Sequence, residues 1–253
     1  MMKYTTLLFD LDGTLTDSEE GILNCVRHAL TTGGFPVPEY AMLKAFIGPP
    51  LLDSFQDICG MTFSEAEAAV VRYRERFSTV GLFENRVYEG IPELLRELKE
   101  AGYRLAVATS KPEVYTLRIL AHFGLLEDFE VIAGCCLEKE GETKADMIRL
   151  ALTRLGLSEA DKPYVLMIGD RKHDILGARA CGIACAGVRY GYAPELELEQ
   201  YGAEPIVKDV AELRAFLLSQ NQRAAGPLTP PPYLSLKTDR HQPLPQGRGE
   251  KQL

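Results

Sequence analysis

The sequence predicts an α/β fold, a parallel sheet covered by helices on both faces and interrupted by an all-helical insertion. Three observations carry this. From residue 90 to about 218, short apolar runs alternate with segments of helical periodicity, the pattern of parallel strands joined by helical crossovers. An apolar run at residues 4–9 stands ahead of that series and ends abruptly in "DLDGTLTDS". Between residues 17 and 85 only helical patterns occur, so this stretch breaks an otherwise regular alternation.

Taken in order, residues 4–9 form a buried strand. A helical pattern covers 19–30 and breaks at Gly33-Gly34. Residues 63–80 make the longest helix of the insertion, and the acids of "SEAEA" lie at its start, where the helix dipole favours negative charge. Ile91, Leu94, Leu95 and Leu98 recur at helical spacing, and Gly102 stops that helix. There follow a strand "YRLAVAT", a helix over 112–123, a strand "FEVIAG", a helix over 143–155, a strand "YVLMIGD", a helix over 174–181 and a strand "IACAGV". The expected organisation is an α/β core at 1–16 and 86–220, a helical insertion at 17–85, and a tail at 221–253. Six of the fifteen prolines fall in the tail, with five Lys/Arg against two Asp/Glu and no apolar periodicity, so it cannot bury enough surface to order itself.

Composition excludes several classes of function. The net charge of -8, from 28 basic and 36 acidic residues, argues against a nucleic-acid polymer as partner, which calls for a basic stripe. No apolar run approaches the roughly 18 residues of a membrane span, and residues 4–9 lack a small-residue cleavage site, so a signal peptide is not expected. Six scattered cysteines form no C-x-x-C pair, which points away from structural zinc and toward reduced thiols in a cytoplasmic protein.

In open parallel sheets, ligands sit beyond the carboxyl ends of the strands. After the first strand come Asp10, Asp12 and Gly13; after "YRLAVA" come Thr109, Ser110 and Lys111; after "YVLMIG" come Asp170 and Asp174; Lys144 opens an intervening helix. Carboxylates crowded on one rim cannot all stay ionised without a cation, and oxygen ligands of this kind suit Mg²⁺. A hydroxyl and a lysine beside such a metal make a site for a phosphoryl group. One aspartate can then serve as nucleophile while its neighbour works as acid and base.

The set "DLDGTLTDS", "ATSK", Lys144 and "GDRKHD" resembles the haloacid dehalogenase superfamily, in order and spacing, over about residues 4–218. The resemblance implies a Rossmann-like core and a Mg²⁺-dependent phosphatase. The insertion resembles the helical cap of the subgroup holding phosphoglycolate phosphatases, β-phosphoglucomutases and some 5'-nucleotidases. The strings "FIGPPLLDSF" and "MIGDRKHDI" are most similar to the 5'-nucleotidase-like branch. Asp10 is then the nucleophile and Asp12 the acid and base, with Asp10, the Asp12 carbonyl, Asp170 and Asp174 expected to hold the metal. Thr109 and Ser110 are expected to bind the phosphoryl oxygens, and Lys144 to balance charge.

Alternatives stand beside these readings. Thr109 and Ser110 can cap the next helix, Asp174 can stabilise its own helix N-terminus, and Lys139 rivals Lys144. Gly48 and Pro49, with Pro50, form a rigid loop that either contacts the substrate's leaving group or simply breaks a helix. The expected partner is a small phosphorylated metabolite, a nucleoside 5'-monophosphate ahead of phosphoglycolate, with the chain a monomer or homodimer. The rival functions are a phosphomutase and a non-catalytic binding protein on the same fold.

Overall fold

The computed structural model describes residues 3–137, 139 and 141–220, so the tail at 221–253 lies outside the described residues. The core strands are β1 (Thr6–Phe9), β4 (Arg104–Pro112), β5 (Val131–Cys135), β6 (Val165–Gly169), β7 (Ala184–Val188) and β8 (Ile206–Val207). They form one parallel sheet in the order β5-β4-β1-β6-β7-β8. The sheet grows outward from β1 in both directions, so the crevice at the carboxyl end of β1 is the topological switch point.

Alternation along the strands divides the core between the two faces. Leu7, Phe9, Leu105, Val107, Leu166 and Ile168 join the apolar cluster on one face, with α5 (Ile91–Glu100), α6 (Glu113–His122) and α10 (Val210–Ser219). Leu8, Ala106, Ala108, Val165 and Met167 join the other, with α7 (Lys144–Arg154) and α8 (Lys172–Cys181). Each fully buried leucine here contributes roughly 1.5–3 kcal/mol. A short helix, α9 (Glu197–Tyr201), follows β7 and continues the alternation, which the sequence reading extends to about residue 218 without placing this helix.

The stretch between β1 and α5 is helical as predicted: α1 (Glu19–Gly33), α2 (Tyr40–Lys44), α3 (Leu51–Cys59) and α4 (Phe63–Phe77). Gly34 and Gly60 end α1 and α3 in left-handed conformations, which glycine adopts without a Cβ penalty. Thr62 and Glu65 form a reciprocal capping box that fixes the start of α4. The prediction missed β2 (Thr16–Asp17) and β3 (Arg86–Val87), an antiparallel pair through which the chain leaves the core for the helices and returns. Two residues per strand are too few to show a period. The helices share their apolar interior with the first sheet face: Ile22, Val26, Phe46, Phe55 and Phe77 belong to the same cluster as Leu7 and Phe9. All six cysteines are free thiols, and no helix among the described residues is long and apolar enough to cross a membrane.

Candidate active site

The end of β1 delivers Asp10, whose N–H donates to the Ile168 carbonyl of β6 at 2.9 Å. The Thr143–Asp146 capping box fixes the start of α7 and makes Lys144 its first residue. Lys144 is buried, and its Nζ lies 2.7 Å from Asp10 Oδ1 and 2.8 Å from Asp174 Oδ1. Lys139 instead pairs with Glu142 at the surface.

Asp170 follows β6 and is wholly buried. Its Oδ2 accepts the Tyr192 N–H at 2.7 Å, while its Oδ1 has no partner among the described residues. Gly13, at φ +82°, passes so close that a Cβ there would lie 2.1 Å from Asp170 Oδ2, so only glycine fits. Asp174 does two things at once: its Oδ2 accepts the Arg171 N–H at 3.0 Å at the start of α8, and its Oδ1 faces Lys144. The first contact is the one expected of an acid at its own helix N-terminus, and the second places the same carboxylate beside Lys144. Ligand oxygens of Asp10, Asp170 and Asp174 lie within 4.8 Å of one another, all three residues buried.

The electrostatics follow from three clustered carboxylates, two of which, Asp10 and Asp174, face the ammonium of Lys144. Burial works against the Lys144 charge, but Asp10 and Asp174 outweigh it and hold the ammonium above the ordinary lysine range. Burial, then the neighbouring charges of Asp174 and Asp10, push the Asp170 carboxyl well above the usual carboxylate range. Burial also raises Asp174, to about 6, with Lys144 pulling the other way. A divalent cation among these oxygens would supply the missing positive charge.

Asp12 stands apart from that cluster. Its Oδ2 lies 2.7 Å from Lys111 Nζ, and its Oδ1 is buried with no hydrogen-bond partner among the described residues. Thr109 is buried, and its Oγ1 accepts the Lys111 N–H at 3.3 Å. Strand β4 runs on through Thr109, Ser110 and Lys111, with a break in register between Thr109 and Pro112. Pro112, not Thr109 or Ser110, occupies the cap position of α6, so the capping alternative does not describe these residues. The Gly48-Pro49-Pro50 loop lies against the segment after β6: Arg171 Nη1 donates to the Ile47 carbonyl at 2.6 Å. At Gly48, φ +107°, a Cβ would lie 2.8 Å from that nitrogen. Glu197 holds the arginine from behind, at 2.9 Å to Nε.

Sequence reasoning passed over Tyr192. Its hydroxyl donates to Asp17 Oδ1 at 2.7 Å and accepts the Ser18 N–H at 2.8 Å, so one residue ties Asp170 to the β2/β3 crossing. Arg86 pairs with Asp17 at the same crossing. Nothing in "RYGY" marks Tyr192 out, because its partners are far away in sequence.

A Rossmann-like sheet with an insertion after its first strand, and acids gathered at the end of that strand, defines a class of α/β hydrolases. The family model described as haloacid dehalogenase-like hydrolase matches residues 7–188, and the chain belongs to that family. It is 46% identical over 218 residues to a 5'-nucleotidase of Pseudomonas aeruginosa, covering 86% of this chain and 97% of that protein. It is 45% identical over 187 residues to the tyrosine-protein kinase PtkA of Mycobacterium tuberculosis, covering 74% of this chain and 62% of that protein. Among solved structures, a predicted phosphatase from Clostridium acetobutylicum superposes with a TM-score of 0.79 at 42% identity, over 85% of this chain and 99% of that one. The chain is an enzyme of this hydrolase family, and relatives matched along nearly their whole length are named for phosphatase activities.

Proposed function

We propose that the chain is a Mg²⁺-dependent phosphatase acting on a small phosphomonoester through an aspartyl-phosphate. The observation that carries this is the buried cluster of Asp10, Asp170 and Asp174, with Lys144 on the first and last, in which the fully buried Asp170 Oδ1 has no hydrogen-bond partner among the described residues. Hard oxygen donors in that number fit Mg²⁺. Asp10, Asp170 and Asp174 would hold it, with the Asp12 carbonyl, and it would supply the charge that steadies the phosphoryl oxygens.

Asp10 then attacks phosphorus, and the bond from phosphorus to the leaving oxygen breaks as Asp12 gives that oxygen its proton. In the second step Asp12 takes a proton from water, water attacks phosphorus, and the bond to Asp10 breaks, releasing inorganic phosphate. Thr109 and Ser110 hydrogen-bond the phosphoryl oxygens, and Lys144 holds Asp10 in place. Residues 17–85 act as a cap whose closure excludes bulk water, and the Gly48-Pro49 turn meets the leaving group. The 46% identity to a 5'-nucleotidase supports a nucleoside 5'-monophosphate as substrate, with phosphoglycolate the second choice.

The test is phosphate release over a panel of phosphomonoesters, with Mg²⁺ and with chelator. Turnover that persists in excess chelator sinks the metal assignment. An isomer formed without free phosphate identifies a mutase, and label passed from a nucleoside triphosphate to tyrosine identifies a kinase.

A further inference from the structure

Two lysines with covered side chains divide the two aspartates of "DLD" between them: Lys144 holds Asp10, and Lys111 holds Asp12. The second pair is unexplained by the roles given so far. Lys111 Nζ lies 2.7 Å from Asp12 Oδ2, and the lysine side chain is only 7% exposed. Burying an ammonium beside a single carboxylate is a poor way to stabilise a fold, because desolvation offsets much of the attraction.

Two features show what the pair achieves. The Asp12 carboxylate has one oxygen fixed by Lys111, while the other, Oδ1, is buried with no hydrogen-bond partner among the described residues. Rotation about the last bond of an aspartate is soft, so a carboxylate that must pass a proton at a defined point gains from having one oxygen held. The lysine is itself held from both sides. Its N–H bonds Thr109 Oγ1 within the irregular end of β4. Its ammonium sits 4.7 Å from the centroid of the Phe77 ring at the end of α4, within reach of a cation–π contact. Phe77 is buried, stacked on Tyr73 and set edge-on to Tyr115. The wall behind Lys111 thus comes from the helical insertion, and the far end of its salt bridge is on the core.

We infer that Lys111 is a positioning residue for Asp12: it fixes Oδ2 so that Oδ1 is the oxygen that exchanges the proton, and Phe77 makes this alignment depend on α4 being in place. This rests on the assignment of Asp12 as acid and base. The signature of such a role is sensitivity to the leaving group. An alkoxide needs a proton to depart, whereas a nitrophenolate does not, and kcat/KM reports the steps up to its departure.

The experiment compares kcat/KM for an alkyl phosphate and for p-nitrophenyl phosphate in the wild-type chain and in Lys111→Met, Lys111→Arg, Phe77→Leu and Asp12→Asn, with Tm and calorimetric Mg²⁺ affinity for each. Asp12→Asn is expected to lose about 10³-fold on the alkyl ester and much less on the aryl ester, in the range of a lost general acid. Lys111→Met is expected to lose about 10²-fold on the alkyl ester and less than about tenfold on the aryl ester, with Mg²⁺ affinity retained. Lys111→Arg should recover part of the loss, and Phe77→Leu should show the same selectivity at about tenfold. Equal losses on both esters in Lys111→Met, with Asp12→Asn selective, overturn the proposal and leave Lys111 a structural residue. An unselective Asp12→Asn removes the acid assignment itself, and the role of Lys111 with it. A Lys111→Met chain too unstable to assay leaves Lys111→Arg and Phe77→Leu to decide: selectivity in both supports the proposal, and its absence in both overturns it.

Discussion

Asp10, Asp170 and Asp174 crowd like charges into a buried site, and this has consequences that can be measured one residue at a time. Asp10→Asn keeps the shape and removes the attacking charge, so phosphate release should fall by at least ~10³-fold with little change in Tm. A variant with near wild-type turnover would exclude Asp10 as nucleophile. The carboxyl groups also make metal binding pH-dependent. Burial raises Asp174 to about 6 and Asp170 well above its ordinary value, so in the metal-free protein protons bind these groups more tightly folded than unfolded. By linkage, their contribution to the stability of the metal-free fold should be fully present below about pH 4, the unfolded carboxylate range, and be lost as pH rises through about 6, where Asp174 titrates. Mg²⁺ competes with the same protons, so its calorimetric affinity should weaken at least ~10-fold between about pH 7.5 and 5.5. Asp174→Asn should flatten that dependence. An affinity that does not change over this range would mean the metal sits elsewhere.

At the scale of elements, legibility tracked length and locality. The long strands and helices carry their period in the sequence, and following each strand to its end puts Asp10, Asp12, Thr109 and Asp170 on one rim. The two-residue strands Thr16–Asp17 and Arg86–Val87 carried no period, and so the crossing between core and helices went unread. Arg171 and Glu197 were unreadable for another reason: their partners are brought together by tertiary packing alone. That packing gives the Gly48-Pro49-Pro50 loop a defined seat on Arg171, next to Asp170 in sequence. Replacing Pro49 and Pro50 by alanine should loosen the loop while leaving the carboxylates intact. The preference for the best natural substrate over a generic aryl phosphate should shrink by about tenfold, the size of one or two lost contacts. Arg171→Met should shrink it likewise, with Mg²⁺ affinity measured alongside. Equal losses on both substrates would assign the loop to folding or closure in general.

At the scale of the whole molecule, the insertion's helices and the sheet are not packed as two separate interiors. The described residues of the core and the helices fall in one compact unit. One apolar cluster runs from Leu7 and Phe9 through Leu11 and Leu15 to Ile22, Val26, Phe46, Phe55 and Phe77. Polar ties reinforce it from both sides: Arg171 to the Ile47 carbonyl, Arg118 to the Ser78 carbonyl at 2.8 Å, and Tyr192 to Asp17 and the Ser18 N–H. Opening of a cap about the β2/β3 crossing is compatible with this, because local opening costs less than global unfolding. Independent melting of the helices is not, because they would expose apolar surface that the sheet face covers. Calorimetry should therefore record a single unfolding transition, with calorimetric and van't Hoff enthalpies equal. Phe55 tests the coupling from the far side: it is fully buried against Phe46, with ring centroids 5.0 Å apart, and it touches no catalytic group. Phe55→Ala should cost about 3–5 kcal/mol and lower that single transition by on the order of 10 °C. Two transitions, with only the lower one moved by Phe55→Ala, would show instead that the helices fold as a domain of their own.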